Sequence, residues 1–199
     1  MALGNDKLKI YLGCPNVGAP DQLRRKIVEM INDAETSLLI ATQQLEDLEI
    51  IEALVNARHR GVRCRVALEK DYLAERRSLY NPFEKQGGRE TNREMLNVLF
   101  RAKIPVRLDR NNRLVHSNFL VIDYTSDKNS QTFLTSANLT PSGLDRYYNS
   151  GIWIRDEGMA RAFEKEFDDI WDDSWSNTLT LPAELEVGDL TIKAVFGPK

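Results

Sequence analysis

His116-Ser117-Asn118-Phe119-Leu120-Val121-Ile122-Asp123, followed by Thr135-Ser136-Ala137-Asn138, is the stretch on which the reading of this chain turns. Alternation of side chains along a strand places His116, Asn118, Leu120 and Ile122 on one face and Ser117, Phe119 and Val121 on the other. A strand over 115–123 and a second over 131–136, joined by the polar turn 124–130, would bring Ser136 and Asn138 beside His116. A His-x-Asn pair on a strand is ordinarily a satisfied core or edge pair. Here the hydroxyl and amide at the end of the next strand change the reading, because several polar groups gathered on an apolar strand need a partner, and a phosphate is one.

Working outward, strands and helices alternate. Lys7–Leu12 reads as a strand, and Leu23, Ile27, Met30, Ile31 and Ala34 form one helical face with Asp21 as a possible cap. Ser37–Thr42 reads as a buried strand. Asp47 opens a helix with Leu48, Ile51, Leu54 and Val55 on its stripe and Gly61 as its stop. Val62–Leu68 is a further strand. Thr91-x-x-Glu94 is a capping box ahead of Met95, Leu96, Leu99 and Phe100. Pro105–Leu108 and Gly151–Arg155 are short strands, and Met159, Phe163, Phe167, Ile170 and Trp171 make the apolar face of a long helix. This order implies an α/β fold: a mixed, mostly parallel β-sheet sandwiched by helices on both faces.

The bulk numbers bound the rest. With 199 residues, 42% of them hydrophobic, the chain suits one globular domain or two small ones. The expected division is a domain over 1–175 and an acidic connector with a final strand over 176–199. Leu190–Phe196 echoes Leu8–Leu12, which fits either the start of a second repeat or a closing strand. No apolar run reaches the roughly 20 residues of a membrane span, and no secretory signal opens the chain. Cys14 and Cys64 read as buried thiols, consistent with a cytoplasmic protein. Net charge is -3, yet Arg58 to Arg113 holds 15 Lys and Arg against 7 Asp and Glu, and Arg155 to Asp189 holds 3 against 11. A basic middle and an acidic end fit a phosphate-facing surface opposite a solvating one, or two ordinary charged surfaces.

The central segment resembles the signature of the phospholipase D superfamily, His-x-Lys-x4-Asp followed by Gly-Ser-x-Asn, and the order of elements around it resembles that superfamily's domain over most of the chain. Asn118 stands where the signature has lysine, and Thr135 stands where glycine is usual. The loop between Asp123 and Ser136 is longer than the common one, and Asn149 lies near where many members carry a glutamate. The resemblance implies metal-independent phosphodiester cleavage through a phosphohistidine, without a cofactor. One neutral imidazole attacks phosphorus and a second protonates the leaving oxygen. It implies His116 as nucleophile or general acid, and Asp123 in the network that orients the imidazoles. Ser136 and Asn138 would position the phosphate.

Two imidazoles are needed, and the chain has two histidines in all. His59 ends a helix between Arg58 and Arg60, where a capping or surface role is the natural one. A homodimer pairing two copies of His116, or a second repeat, would complete the site. Asn118 offers a dipole where lysine offers a full charge, so a catalytic member carrying it would be impaired or silent. It is either a substitution that quiets the enzyme or the mark of a binding-only member. The stretch Lys70–Arg89, rich in Arg, Lys, Tyr and Phe, and the approach residues Arg107, Arg110 and Arg113 favour nucleic acid, DNA or RNA, as substrate. The ordinary alternatives are a solvated loop and a surface ion-pair network. A phospholipid hydrolase or phosphatidyltransferase is the competing enzyme, and a catalytically dead scaffold is the competing binding protein. No membrane anchor is evident.

Overall fold

In the computed structural model, residues 3–14, 16, 18–72, 91–109, 116–126, 129–172, 183–187 and 190–196 are described. β1 (Leu3–Gly4) and β2 (Leu8–Leu12) lead into α1 (Leu23–Asp33). β3 (Ser37–Thr42), α2 (Leu48–His59) and β4 (Arg63–Leu68) form a unit of strand, helical crossover and parallel strand. After a short 3-10 turn at Lys70–Tyr72, α3 (Thr91–Arg101) precedes β5 (Val106–Leu108). β6 (Phe119–Ile122) and β7 (Gln131–Thr135) are hairpin neighbours, and α4 (Pro141–Asp145) separates β7 from β8 (Ser150–Arg155). α5 (Glu157–Asp172) and the hairpin of β9 (Ala183–Val187) and β10 (Leu190–Ala194) follow.

The α/β sandwich with a mixed sheet is what the sequence implied. Eight strands run in the order β1-β2-β8-β7-β6-β3-β4-β5. Parallel pairing joins β3, β4 and β5, which are linked by helical crossovers. The other neighbours are antiparallel: short connections return the chain beside itself at β1–β2 and β6–β7, whereas β2–β8 and β3–β6 pair strands far apart in the sequence. β3 lies inside the sheet with all six residues buried, as an unbroken apolar run demands. One face packs on α1 and α2 through Leu23, Ile27, Ile40, Leu54, Leu120 and Phe133. The other packs on α5 through Leu39, Val121, Phe163 and Phe167.

Several sequence signals act as expected. Asp47 caps α2 by accepting the Ile50 N–H at 3.2 Å, and Gly61, with φ 93°, ends that helix in the left-handed region. Others do not. Asp21 does not cap α1; its Oδ2 accepts the Leu12 N–H at 2.9 Å and ties β2 to the loop. Leu48 sits at 69% exposure because the buried face of α2 runs through Ile50, Ile51 and Leu54. The strand expected over 115–123 is shorter: β6 starts at Phe119. β10 pairs with β9 and, among the described residues, does not enter the main sheet. Residues 73–90, which hold most of the basic and aromatic stretch expected to meet nucleic acid, lie outside the described residues, as does the domain boundary at 175. No helix among the described residues is long and apolar enough to cross a membrane.

Candidate active site

Four strand ends meet at one rim of the sheet. Strand register sets Phe119 opposite Ala41 of β3 and Leu134 of β7, and Thr135 opposite Gly151 of β8. The residues just beyond these pairs therefore form a row: Gln43 and Gln44 after β3, His116 to Asn118 before β6, Ser136 to Asn138 after β7, and Asn149 before β8. The ladder continues one step past β6, since the Thr135 N–H donates to the Asn118 carbonyl at 3.0 Å.

Asn118 is 7% exposed and its amide is largely committed. Oδ1 accepts the Thr42 hydroxyl at 2.7 Å and the Gln43 N–H at 3.2 Å. Nδ2 donates to Asn138 Oδ1 at 3.2 Å. Asn138 in turn donates from Nδ2 to the side-chain oxygens of Gln43 and Gln44 at 2.9 and 2.8 Å. Asn118 and Asn138 are thus brought into direct contact, and Thr42, Gln43 and Gln44 belong to the same amide network. The sequence offered one trace of these partners, a Gln-Gln pair placed directly after an apolar strand.

Ser136 lies on the same rim, exposed, donating its hydroxyl to Asn149 Oδ1 at 2.9 Å and accepting the Ser150 N–H at 3.0 Å. Asn149 also donates from Nδ2 to the Gly143 carbonyl at 2.7 Å, so its amide holds α4 to the rim. His116 stands exposed, two residues before Asn118. The rim thus offers amides, hydroxyls and one imidazole. One N–H of Asn118 is uncommitted to the hydrogen bonds described.

Other expected site residues are elsewhere. Asp123 is at the far end of β6, five residues of extended chain or roughly 17 Å from Asn118. Its carboxylate accepts the backbone N–H groups of Glu35, Thr36 and Ser37 at 3.1, 2.7 and 3.1 Å, and the Thr36 hydroxyl at 2.8 Å. Arg107 of β5 is three strand spacings from β6, on the order of 14 Å, with its guanidinium 5.7 Å from the centre of the Trp171 ring. Arg110 and Arg113 lie outside the described residues. His59 closes α2 at the opposite end of the sheet, where β3 and β4 begin. Among the described residues, no three His, Cys, Asp or Glu side chains gather as a metal site.

Comparison with known proteins bears on the family and the fold. Residues 27–171 match the family described as cardiolipin synthase, PLD-like domain. The phospholipase D of Rickettsia conorii is 28% identical over 137 residues, 69% of this chain and 58% of that protein. A mitochondrial cardiolipin hydrolase of Xenopus laevis is 24% identical over 161 residues, 80% of this chain and 66% of that protein. The chain therefore spans less than two thirds of the length of the curated relatives it matches. Among solved structures, Nuc of Salmonella typhimurium, a phospholipase D family member, superposes with a TM-score of 0.65 at 20% identity, over 83% of this chain and 95% of that one. The phosphatidylserine synthase of Haemophilus influenzae superposes with a TM-score of 0.61 at 16% identity, over 84% of this chain and 40% of that one. TrmBL2, an archaeal chromatin protein that binds DNA, does so at 0.55 and 17% identity, over 84% of this chain and 53% of that one.

Proposed function

The chain belongs to the phospholipase-D-like family of phosphodiesterases, and on that premise we propose that it is a nucleic-acid-directed member whose cleavage is impaired by Asn118. The observation that carries the proposal is the commitment of the Asn118 amide to Thr42, Gln43 and Asn138 on the rim that also bears His116 and Ser136. His116 is the nucleophile or general acid, Asn118 contributes at most one neutral N–H, and Ser136 and Asn138 hold the non-bridging phosphate oxygens by turning to the ligand the hydroxyl and amide N–H groups that otherwise reach Asn149, Gln43 and Gln44. A cation at that position would stabilise the charge that develops on phosphorus. Loss of one such group typically slows a reaction by about 100- to 1000-fold.

One His116 is half of the two-imidazole machinery. A second copy of the chain, or a second repeat, supplies the other half. Support for a homodimer comes from the rim itself, where Leu12, Tyr147 and Tyr148 expose large apolar surfaces at 47%, 64% and 81%. Support for nucleic acid comes from the basic excess of the middle of the chain and from the fold shared with Nuc and TrmBL2. The competing lipid reading draws on the similarity to the Rickettsia and Xenopus enzymes.

The test is the Asn118→Lys variant, incubated in EDTA with single- and double-stranded DNA and with RNA, and separately with phosphatidylcholine vesicles. The proposal expects nucleic-acid cleavage about 100-fold or more above the parent chain, abolished by a further His116→Ala change. Choline release without nucleic-acid cleavage would establish the lipid reading. Inertness toward both, in a folded dimer, would mark a binding scaffold. Sedimentation equilibrium reads the oligomeric state, and a monomer at high concentration would assign the missing half-site to a second repeat.

A further inference from the structure

Strand alternation puts Ser117 and Phe119 on the opposite face of the sheet from the Asn118 amide, and a cavity of about 440 Å³ opens there. Its apolar walls include Phe119, Leu134, Ile152, Phe163 and Phe196. Three of these rings form an edge-to-face series, with Phe119 and Phe163 centred 5.2 Å apart and Phe163 and Phe196 4.9 Å apart. Its polar lining comes from Ser117, Asn118, Thr135, Ser136 and Ser150, from Lys193 of β10, and from Glu166 of α5, which is 5% exposed. Ser136 thus belongs both to the proposed phosphate cradle and to the mouth of this cavity.

We propose that this cavity is a nucleobase subsite, receiving the base next to the phosphodiester held at the rim. The inference rests on the nucleic-acid reading above and adds to it a place for a base and a preference among bases. The volume suits a small planar ligand, and aromatic walls stack on any base through its π-face. A carboxylate offers about four acceptor positions, so Glu166 can take a base amino group besides its partner within the protein. Carboxylates accept in this way from the N4 amino group of cytosine. An acyl chain offers Glu166 no donor, and hydrocarbon laid against a buried carboxylate is penalised. Bases with an exocyclic amino group are therefore preferred over thymine and uracil.

The experiment is fluorescence anisotropy in EDTA with the full chain and three dodecamers: oligo-dC, oligo-dT and a backbone of the same length with no bases. Expected results are about tenfold weaker binding of the baseless strand than of oligo-dC, and several-fold weaker binding of oligo-dT. Glu166→Gln should erase the dC-to-dT difference. Ile152→Trp, which fills the cavity from a position 38% exposed, should bring oligo-dC down to the baseless strand. A circular-dichroism melt shows that each variant folds, and Ile152→Trp alone suffices if Glu166→Gln does not. Equal binding of oligo-dC and the baseless strand overturns the subsite while leaving the nucleic-acid reading in place. Binding of none of the three overturns both. In that event, dihexanoyl phosphatidylcholine binding that Ile152→Trp abolishes would reassign the cavity to an acyl chain.

Discussion

The two ends of β6 carry the two halves of one motif, and they do different work. At the Asp123 end the side chain is 1% exposed, its backbone is left-handed at φ 50°, and one carboxylate collects three successive backbone N–H groups and a hydroxyl. At the other end Asn118 is also buried but neutral, and two residues further out His116 is open to solvent. A charge-assisted cluster of that kind is a bolt between β6 and the segment entering β3. The amide network at the rim is built from neutral side-chain groups, with one N–H of Asn118 outside the hydrogen bonds described. Residues that sit close together in a motif can thus divide into one that holds the sheet and others that stand at the rim where the chemistry is proposed.

Substitutions can break or sharpen this contrast. The largest effect is expected from Asp123→Ala, which strands three backbone donors: about 3 kcal/mol or more of stability, read as a lowered urea midpoint. A loss below about 1 kcal/mol would deny Asp123 its structural role and reopen a catalytic one. Asn118→Ala comes next. It removes the acceptor of Thr42 and Gln43 and the donor to Asn138, at about 1–2 kcal/mol by thermal or urea melting. A cost as large as that of Asp123→Ala would make the two ends mechanically equivalent. The smallest stability effect belongs to His116→Ala, within about 0.5 kcal/mol of the parent. In the Asn118→Lys background the same change should remove all phosphodiester turnover, which separates chemistry from fold in a single pair of measurements.

What was legible in the sequence was local. The period of Leu23, Ile27, Met30 and Ile31 marked the buried face of α1, Asp47 and Gly61 marked the ends of α2, and the apolar run 37–42 marked an interior strand. Strand direction was less legible, since the parallel crossover half of the sheet (β3, β4, β5) and its antiparallel half give similar alternation along the chain. The site showed the same limit. Spacing and resemblance picked out His116, Asn118, Ser136 and Asn138, and the strands carry them to one rim. The partners of Asp123 lie 86 to 88 positions away, and Thr42 and Gln43, which hold the Asn118 oxygen, lie 76 and 75 away. No local pattern announces such pairings. Asp21 was misread for a related reason: a carboxylate beside a helix start resembles a cap until the neighbouring strand claims it.

The borders of the main sheet have a consequence for self-assembly. Among the described residues its outermost strands are Leu3–Gly4 and Val106–Leu108, two and three residues long. Such stubs expose few unpaired peptide groups, so another chain finds little template for fibre-like growth by strand addition. Association of copies across the borders of the main sheet is thereby disfavoured, and among the described residues the five-residue strands of the β9–β10 hairpin are the longer edges.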